Sequence, residues 1–311
     1  MALTVLVTGA RGYVGRHLVE SLGRRGFSVV AQARAPVPEW SPPPVRVVEG
    51  DLTAEATCAE AVAGVDAIVH CAARLRGGGA GEYYRDNVQT TEVLTRAAVS
   101  ARVPRFIHVS TVEVYGRREH KHTREDAPID HGDDDPYART KAWSEAVVRG
   151  RTGLPAAILR PGLIWGGPHD DRFLGKVTAA LRSRRFAYPG PCDAPLPLLH
   201  IENLALAVSL ALVSDAQGAF NLTDGTEITF RQLVERLAEH HGLTPPRTTL
   251  PLPLVIAAVR GLDAVRSLVL PELMPSLRRG IVELLNTPCR FSIERAKELL
   301  GYSPEARGFD A

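Results

Sequence analysis

The sequence predicts an α/β protein: a doubly wound parallel sheet followed by a smaller, mostly helical part. Short, almost wholly apolar runs alternate with helical stretches through the first half of the 311-residue chain. This alternation is typical of parallel βαβ units whose strands are covered on both faces. After Gly166 the loops lengthen and proline becomes frequent. We therefore expect one domain over residues 1–165 and a second over residues 166–311, with residues 197–223 returning to the first.

The predicted strands are apolar runs bounded by glycine, proline or polar residues. In the first domain they occupy residues 3–8, 28–33, 45–49, 67–72, 106–110 and 156–160. The helical stretches between them occupy residues 12–25, 54–63, 83–101 and 136–149. In the second part, helices are expected at residues 171–184, 203–213, 229–240, 253–269 and 292–300. Residues 219–222 are a candidate strand for the main sheet.

Composition excludes several classes of partner. A formal net charge of +2 is too small to indicate nucleic-acid binding. The four cysteines form no C-x-x-C pair and no zinc spacing, so we expect no metal site and reduced thiols in the cytoplasm. The apolar stretch 251–270 carries Arg260, Asp263 and Arg266, so stable membrane insertion is not expected. Shallow docking on a membrane surface stays open as an alternative.

A glycine-rich turn follows the first predicted strand and opens the first predicted helix. It reads Thr8-Gly9-Ala10-Arg11-Gly12-Tyr13-Val14-Gly15. Glycines in this pattern allow a tight turn, close approach of a pyrophosphate and close helix–sheet packing, with the phosphates at the helix amino terminus. The turn predicts a dinucleotide site made by Gly9, Arg11, Gly12, Tyr13, Val14 and Gly15. A purely structural turn is the alternative.

The end of the second predicted strand bears on which dinucleotide binds. An acidic residue there would bind the ribose 2′-hydroxyl of NAD, but Ala33 and Arg34 stand there and no acid follows until Glu39. Arg34, with Arg11 in the glycine turn, suits a 2′-phosphate. We therefore expect NADP(H) in preference to NAD(H). The alternative is that both arginines are solvated surface residues.

Two further strand ends carry candidate cofactor contacts. Asp51 and Leu52 follow the third predicted strand, where a carboxylate and an apolar wall could hold the adenine ring. A helix N-cap is the alternative interpretation of Asp51, and both can hold. Cys71, Ala72 and Ala73 end the fourth predicted strand, and their small side chains would let the backbone approach the cofactor.

Tyr137 and Lys141 are the most informative catalytic candidates. They lie four residues apart in the run Asp135-Pro136-Tyr137-Ala138-Arg139-Thr140-Lys141, hence on one helix face. A nearby ammonium favours the phenolate, so it lowers a tyrosine pKa from about 10 toward working pH, as acid–base catalysis requires. Ser110 and Thr111 end the fifth predicted strand, at the sheet edge where ligands bind. A hydroxyl there can polarise a substrate carbonyl.

These motifs together resemble the extended short-chain dehydrogenase/reductase family over nearly the whole chain. The resemblance implies a Rossmann fold and a Tyr/Lys/Ser-or-Thr triad whose hydroxyl falls on Thr111, with Ser110 adjacent. It also implies that the Pro161-Gly162 segment contacts the nicotinamide amide and that subunits pair through the helices at 83–101 and 136–149, giving a homodimer. Further matching residues with expected cofactor contacts are Asn87, Pro161, Gly162 and Leu163.

Within that family, the chain looks more like the 3β-hydroxysteroid dehydrogenase-like branch. Sugar-nucleotide enzymes usually place an Asn three residues after the arginine that corresponds to Arg160, to hold a diphosphate, and this chain has Leu163. NAD-using members of the branch carry Asp at the second strand, where this chain has Ala33 and Arg34. An apolar wall around the substrate is expected from residues 251–256 and 268–270, with simple packing of the helical part as the alternative.

The resulting expectation is an NADP(H)-dependent enzyme that interconverts a secondary alcohol and a ketone on a lipophilic small molecule. The alternative is a sugar-nucleotide epimerase or 4-ketoreductase with bound NAD(P). A non-catalytic dinucleotide sensor is a third possibility. The intact Tyr137, Lys141 and Thr111 set argues against it, because a sensor needs no proton-transfer group.

Overall fold

The computed structural model describes residues 2–36, 40, 43–44, 46–168, 174–184, 186–260 and 279–305. Its strands are β1 (Thr4–Thr8), β2 (Ser28–Ala33), β3 (Arg46–Glu49), β4 (Ala67–His70), β5 (Arg105–Val109), β6 (His120–Thr123), β7 (Ala156–Pro161), β8 (Leu163–Trp165), β9 (Tyr188–Pro189), β10 (Leu198–His200), β11 (Gly218–Leu222), β12 (Thr249–Leu250) and β13 (Cys289–Phe291). Seven of them form one parallel sheet in the order β11-β7-β5-β4-β1-β2-β3. The predicted doubly wound parallel sheet is confirmed.

Helices connect these strands. They are α1 (Tyr13–Arg24), α2 (Glu55–Val62), α3 (Ala80–Tyr83), α4 (Thr90–Ser100), α5 (Pro136–Gly150), α6 (Leu174–Arg182), α7 (Ile201–Val213), α8 (Phe230–His240), α9 (Leu252–Arg260), α10 (Arg279–Asn286) and α11 (Glu294–Leu300). The predicted helix at 83–101 is not regular, because Tyr84–Gln89 forms a π-helical turn. π-Helical turns are rare in proteins, and a large share of those that occur lie at functional sites.

The sheet is buried on both faces, which explains why its strands lack alternation between apolar and polar residues. Val5 and Val7 of β1 pack with Leu18 and Val208 in the core that α1 and α7 cover. Leu6, on the opposite face, packs with the core formed by α2 and α4. Each face of a strand points to one layer of helices, so most positions of the strands are apolar, and the buried polar exceptions are Thr8, Gln32, His70, Arg105, His108, Arg160 and Asn221.

The candidate strand at 219–222 lies in the sheet as β11. It pairs in parallel with β7, placing Phe220 opposite Leu159. The chain therefore returns to the sheet after β7 and extends its edge. Its neighbour α7 contacts α1 on the same side of the sheet.

The remaining part has its own apolar core, in which Phe230 and Leu237 of α8 pack with Leu181 of α6. The predicted helix at 253–269 begins as α9, and its continuation lies outside the described residues. Helix α10 was not expected from the sequence. Within the described residues, no helix has the length and apolar character needed to cross a membrane.

Candidate active site

A cavity of about 670 Å³ opens at the carboxyl ends of the parallel strands. Segments that follow β1, β2, β3, β4, β5 and β7 all contribute to its wall. This is the edge at which open α/β sheets bind their ligands. The predicted site residues that line it are Gly9, Arg11, Gly12, Tyr13, Val14, Gly15, Arg34, Asp51, Leu52, Cys71, Ala72, Ala73, Ser110, Thr111, Tyr137, Lys141, Pro161, Gly162 and Leu163.

The glycine turn is shaped so that only glycine fits at its two ends. Gly9 has φ +67°, and a Cβ there would lie 2.7 Å from Ala72 Cα. A Cβ on Gly15 would lie 2.2 Å from the Gly9 carbonyl oxygen, because α1 starts directly against the turn. Gly12 is the N-cap of α1 and has no side chain with which to cap it, and Gly12, Tyr13 and Val14 line the cavity, so the amino terminus of the helix lies at the cavity wall. Such a cradle fits a pyrophosphate.

Gln32 holds this turn in place, a role that was not expected from the sequence. Its backbone carbonyl accepts a hydrogen bond from Ala10 N at 2.9 Å. Its side-chain Nε2 donates to the Gly50 carbonyl at 2.8 Å. The amide therefore ties the turn after β1 to the turn after β3. It lies in the position before Ala33, inside an otherwise apolar strand.

At the adenosine end, Arg34 extends from β2 with its side chain 56% exposed, and its Nη1 donates to Asp86 Oδ2 at 3.1 Å. Asp86 is buried in the π-helical turn and also accepts from Arg74 and Arg85. Burial opposes ionisation of Asp86, but these guanidiniums outweigh it and lower the pKa of the carboxyl. Sequence analysis did not single out Asp86.

Asp51 lies at the cavity edge, partly exposed, as adenine contact would require. Its Oδ1 accepts from both the backbone N–H and the hydroxyl of Thr53, each at 2.9 Å. The N-cap of α2 is Ala54, so capping by Asp51 is not observed. Leu52 beside it is buried and lines the cavity.

Asn87 is the one predicted cofactor residue that does not line the cavity. It is buried behind the wall, where its Oδ1 accepts from Arg74 N at 2.6 Å. Its Nδ2 donates to Thr140 Oγ1 at 2.9 Å. Asn87 thus connects the loop after β4 to the helix that carries Tyr137 and Lys141. Its geometry is that of a wall support.

The two hydroxyl candidates at the end of β5 have different partners. Ser110 is buried, and its Oγ donates to Glu145 Oε1 at 2.5 Å. Thr111 caps a short 3₁₀ turn, Val112–Tyr115, and its Oγ1 accepts from Glu113 N at 3.2 Å. Since Thr111 serves there as an acceptor, its own hydroxyl hydrogen stays available to a ligand within the described part of the chain. The geometry favours Thr111 over Ser110 as the substrate-facing hydroxyl.

Helix α5 presents Tyr137 and Lys141 to the cavity. Asp135 caps it by accepting from Tyr137 N at 2.8 Å, and Pro136 occupies its first turn. Tyr137 is partly buried, whereas Lys141 is 2% exposed. Burial lowers the pKa of Lys141 to about 8, although the charge of Glu145 opposes this. Lys141 Nζ donates to the Val109 carbonyl at 2.7 Å.

A buried ion pair fixes the position of this helix. Arg160 of β7 makes two hydrogen bonds to Glu145, from Nε to Oε1 at 3.0 Å and from Nη2 to Oε2 at 2.7 Å. Arg160 also donates to Tyr115 Oη at 2.5 Å. Glu145 lies four residues after Lys141, so the same network locates Lys141, Ser110 and the 3₁₀ turn. The sequence motif around Arg160 was recognised, but its partner was not.

Glu113 is a further cavity residue that sequence analysis missed. It follows Thr111 by two residues and is exposed toward the cavity. Enclosure by the cavity walls raises the pKa of its carboxyl to about 7, and the charge of Asp135 adds to this. A carboxyl that is partly protonated near neutrality therefore lies two residues from the candidate hydroxyl of Thr111.

The opposite end of the cavity is apolar. Leu163, Ile164 and Pro197 line it from the sheet side, and Ile281, Leu284 and Leu285 line it from α10. Residues 251–256, which were expected in this wall, belong largely to α9 and pack against α10 instead. Residues 268–270 lie outside the described residues. The spacing of positions 281, 284 and 285 is that of one helix face, a signal that could have predicted α10 as the wall.

Comparison with known proteins agrees with this geometry. The model of the NAD dependent epimerase/dehydratase family matches residues 5–223. The chain is 31% identical over 317 residues to a 2-alkyl-3-oxoalkanoate reductase of Stenotrophomonas maltophilia, covering 97% of this chain and 95% of the relative. It is 31% identical over 319 residues to a 3 beta-hydroxysteroid dehydrogenase/Delta 5→4-isomerase of Mycobacterium tuberculosis, covering 96% and 86%.

The fold is also similar to that of a solved enzyme. DesIV, a dTDP-glucose 4,6-dehydratase from Streptomyces venezuelae with NAD bound, superposes with a TM-score of 0.77 at 26% identity, covering 98% of this chain and 93% of that one. The family match spans the glycine turn, β5 and the Tyr137/Lys141 helix. The chain therefore belongs to the NAD dependent epimerase/dehydratase family of extended short-chain dehydrogenase/reductases and is an NAD(P)-dependent enzyme.

Proposed function

We propose that this enzyme uses NADP(H) to interconvert a secondary alcohol and a ketone on a lipophilic small molecule. One observation carries the proposal. A single cavity joins the glycine turn, the Tyr137/Lys141/Thr111 set and an apolar end lined by α10. The dinucleotide, the proton-transfer groups and a hydrocarbon substrate body can therefore meet in one enclosed space.

When bound, the nicotinamide supplies or accepts the hydride, and the protein supplies position and protons. Tyr137 gives its phenolic proton to the ketone oxygen during reduction and takes it back during oxidation. Lys141, charged near neutral pH, stabilises the Tyr137 phenolate by its positive charge and presents a donor to the nicotinamide ribose. Thr111 donates a hydrogen bond that orients the substrate oxygen. The apolar walls exclude water from this region.

The preference for NADP(H) is supported by Arg34 and Arg11 at the adenosine end and by Ala33 in the position where NAD enzymes carry an acid. Each charge-assisted contact to a 2′-phosphate contributes about 1.5–3 kcal/mol, or about ten- to hundredfold in affinity. Fluorescence titration of NADPH and NADH tests this. Equal affinities, or a preference for NADH, would contradict the assignment.

A lipophilic substrate is supported by the apolar end of the cavity and by the names of the relatives, which act on alkyl oxoalkanoates and steroids. Leu163 and Ile164 offer no donor for a diphosphate, whose charge would be left unpaired there. A sugar-nucleotide epimerase or 4-ketoreductase remains the second candidate, favoured by the likeness to DesIV, which is named for action on a sugar nucleotide. Calorimetry with UDP- and dTDP-sugars, against a panel of steroid, terpenoid and long-chain ketones, separates the two.

The catalytic assignment is tested with Tyr137→Phe, which removes only a hydroxyl. We expect turnover to fall by about 10²–10⁴-fold, the usual contribution of a general acid, with NADPH affinity nearly unchanged. Thr111→Ala should lose less, since water can replace its hydrogen bond. Ser110→Ala is the comparison variant for Thr111→Ala, because the Ser110 hydroxyl donates to Glu145 in the structure and we expect it to make no contact with the substrate. Near-full activity of Tyr137→Phe on the true substrate would show that the assignment is wrong.

We further propose a homodimer that forms through the outer face of α5 and the π-helical turn before α4. Tyr84 and Trp143 pack edge to face there, with ring centroids 6.1 Å apart. Tyr84 is 43% exposed, a large aromatic surface for a protein face in contact with water. Light scattering of the wild type and of Trp143→Glu tests this, and an unchanged mass for the variant would refute it.

We also propose a cytoplasmic location, which fits the four free thiols.

We propose that residues 1–165 bind the dinucleotide and that residues 166–311, together with Leu163 and Ile164, supply the substrate wall. Leu163 lies at the boundary between these parts, in β8. The parallel pairing of β8 with β10 brings residues 198–200 back to the dinucleotide-binding part.

A further inference from the structure

The Lys141 ammonium is held from behind by strand β5. Its Nζ donates to the Val109 carbonyl at 2.7 Å and lies 3.3 Å from His108 Nε2. A lysine ammonium has three N–H donors. Within the described residues these two contacts use two of them, which leaves the third for the cavity that Lys141 lines. The strand therefore determines where the ammonium points.

His108 is an unusual residue for its position. Its neighbours Phe106, Ile107 and Val109 are apolar, and His108 is 0% exposed. Burial, with the nearby positive charge of Lys141, holds the pKa of His108 well below its ordinary value. The ring is neutral, so the nitrogen that faces the ammonium is an acceptor and Nδ1 carries the proton; this tautomer is assigned from the hydrogen-bond network.

Nδ1 of His108 has no hydrogen-bond partner among the described residues. A buried N–H without a partner costs stability, so an apolar residue would serve the core better. The contact with Lys141 is what the histidine adds over an apolar side chain. Its presence therefore needs an explanation outside packing.

The neighbouring His70 shows what a structural histidine looks like in this core. Its ring centroid lies 5.5 Å from that of His108. Its two nitrogens contact Thr8 Oγ1 at 2.8 Å and Thr91 Oγ1 at 3.0 Å, so both are satisfied. His70 links β4 to its neighbours and makes no hydrogen bond to Lys141. The two buried histidines therefore differ in what their nitrogens bind.

We propose that His108 is a positioning residue for Lys141, whose neutral imidazole accepts a hydrogen bond from the ammonium, directs it into the cavity and keeps it charged. This inference rests on the catalytic role proposed above for Lys141. Burial disfavours the ammonium, and each acceptor offsets part of that cost. The other titratable groups near this pair are Tyr137, Glu145, Arg149, Cys71 and His70.

His108→Phe keeps a ring of similar shape and removes the acceptor. Loss of the acceptor disfavours the charged form of Lys141, so the pKa of Lys141 should fall from about 8 by about one unit. This shift corresponds to the low end of the energy of a hydrogen bond to a charged group. Activity needs the ammonium, so the alkaline limb of kcat/KM for NADPH should move to lower pH. The loss should be slight at pH 6, about threefold at pH 7.5 and about eightfold at pH 8.5.

His108→Gln supplies an amide oxygen at about the same reach as Nε2 and should restore the wild-type limb. His120→Phe is the matched control, because His120 is another buried histidine that bonds to Thr123 and Gly116 rather than to Lys141. Its pH profile should not move. NADPH affinity, measured by fluorescence quenching between pH 6 and 9, provides a readout separate from turnover and should shift in the same direction.

A pH-independent loss in His108→Phe, an unshifted limb, or the same shift in His120→Phe would overturn the proposal. Lys141→Ala distinguishes this failure from a wider one. If Lys141→Ala impairs binding and turnover while the His108→Phe limb is unshifted, only the role of His108 is refuted. If Lys141→Ala leaves both unchanged, the proposed catalytic function itself is wrong.

Discussion

Glu145 forms ion pairs with two arginines that differ in burial but hardly in distance. Arg160 Nη2 lies 2.7 Å from Glu145 Oε2, and both side chains are 0% exposed. Arg149 Nη2 lies 2.9 Å from the same oxygen, but its side chain is 40% exposed. Replacing each arginine with methionine therefore compares the loss of a buried, two-bond ion pair with the loss of a single, partly exposed ion pair. Burial and the number of bonds both predict the larger loss for Arg160.

Arg160→Met should lower the free energy of unfolding by about 3–5 kcal/mol, because it leaves a buried carboxylate without its main partner. The Tyr115 hydroxyl loses its hydrogen bond from Arg160 at the same time. Arg149→Met should cost about 1 kcal/mol or less, since water replaces an exposed partner. The expected gap between the two variants is thus at least about 2 kcal/mol.

Urea unfolding at pH 7, followed by far-ultraviolet circular dichroism, measures both variants against the wild type. Equal losses for the two, or a loss below about 1 kcal/mol for Arg160→Met, would refute the reasoning from burial. The double variant Glu145→Leu with Arg160→Met should recover part of the loss, because no uncompensated charge remains. A double variant less stable than Arg160→Met would contradict this.

The pH dependence of the same network has a definite sign. Burial opposes ionisation of Glu145, but the hydrogen bond and charge of Arg160 outweigh it and lower the pKa of the carboxyl. A depressed folded pKa contributes stability above the unfolded value of about 4.3, and this contribution is lost as pH falls through the folded value. Glu145→Gln should therefore be less stable than wild type at pH 7, and the difference should narrow below about pH 4.

Three further predictions concern the cavity. Gly15→Ala would place a Cβ 2.2 Å from the Gly9 carbonyl oxygen and should abolish measurable NADPH binding in fluorescence titration. Gly150→Ala is the control and should bind normally, because there is open space around Gly150. Normal binding by Gly15→Ala would refute the role of the glycine turn in holding the pyrophosphate. Leu284→Ser should raise KM for a lipophilic ketone about tenfold while leaving NADPH affinity unchanged. Leu254 lies on α9 and is 66% exposed, so Leu254→Ser should change neither quantity. Burial raises the pKa of the Cys71 thiol to about 12, so only about one thiol in 10⁴ is ionised at pH 8. Iodoacetamide should therefore not label Cys71 in the folded protein. Labelling of Cys71 as fast in the folded protein as in urea would disprove this.

The sequence alone was sufficient where the physical cause is local. Apolar runs between helical stretches predicted the sheet, because strands covered on both faces must be apolar throughout. The glycine turn was recognised because its conformation requires glycine at fixed spacing. Tyr137 and Lys141 were paired because four residues make about one helical turn. Each of these signals depends on neighbours within a few positions of the chain.

Only the tertiary structure decided the partners that lie far apart in the chain. Asn87, for which a cofactor contact is predicted, bonds to Arg74 and Thr140, which are 13 and 53 positions away. The apolar wall of the cavity is lined by α10, whereas the sequence predicted residues 251–256 there. The helical spacing of positions 281, 284 and 285 indicates an apolar face but not what that face covers, and no periodicity indicates the partners of a buried polar residue such as Asn87.

The roles of His108 and Glu145 also depend on their burial, which the sequence does not show. The role of His108 depends on the contact of β5 with α5, which places it beside Lys141. The role of Glu145 depends on the packing of α5 against β7, which places it beside Arg160. A hydrogen bond or ion pair has an energy that depends on how much water its surroundings exclude, and water exclusion is a property of the assembled layers. The sequence by itself determined the framework and the candidate pair Tyr137 and Lys141, and the tertiary structure determined what surrounds that pair.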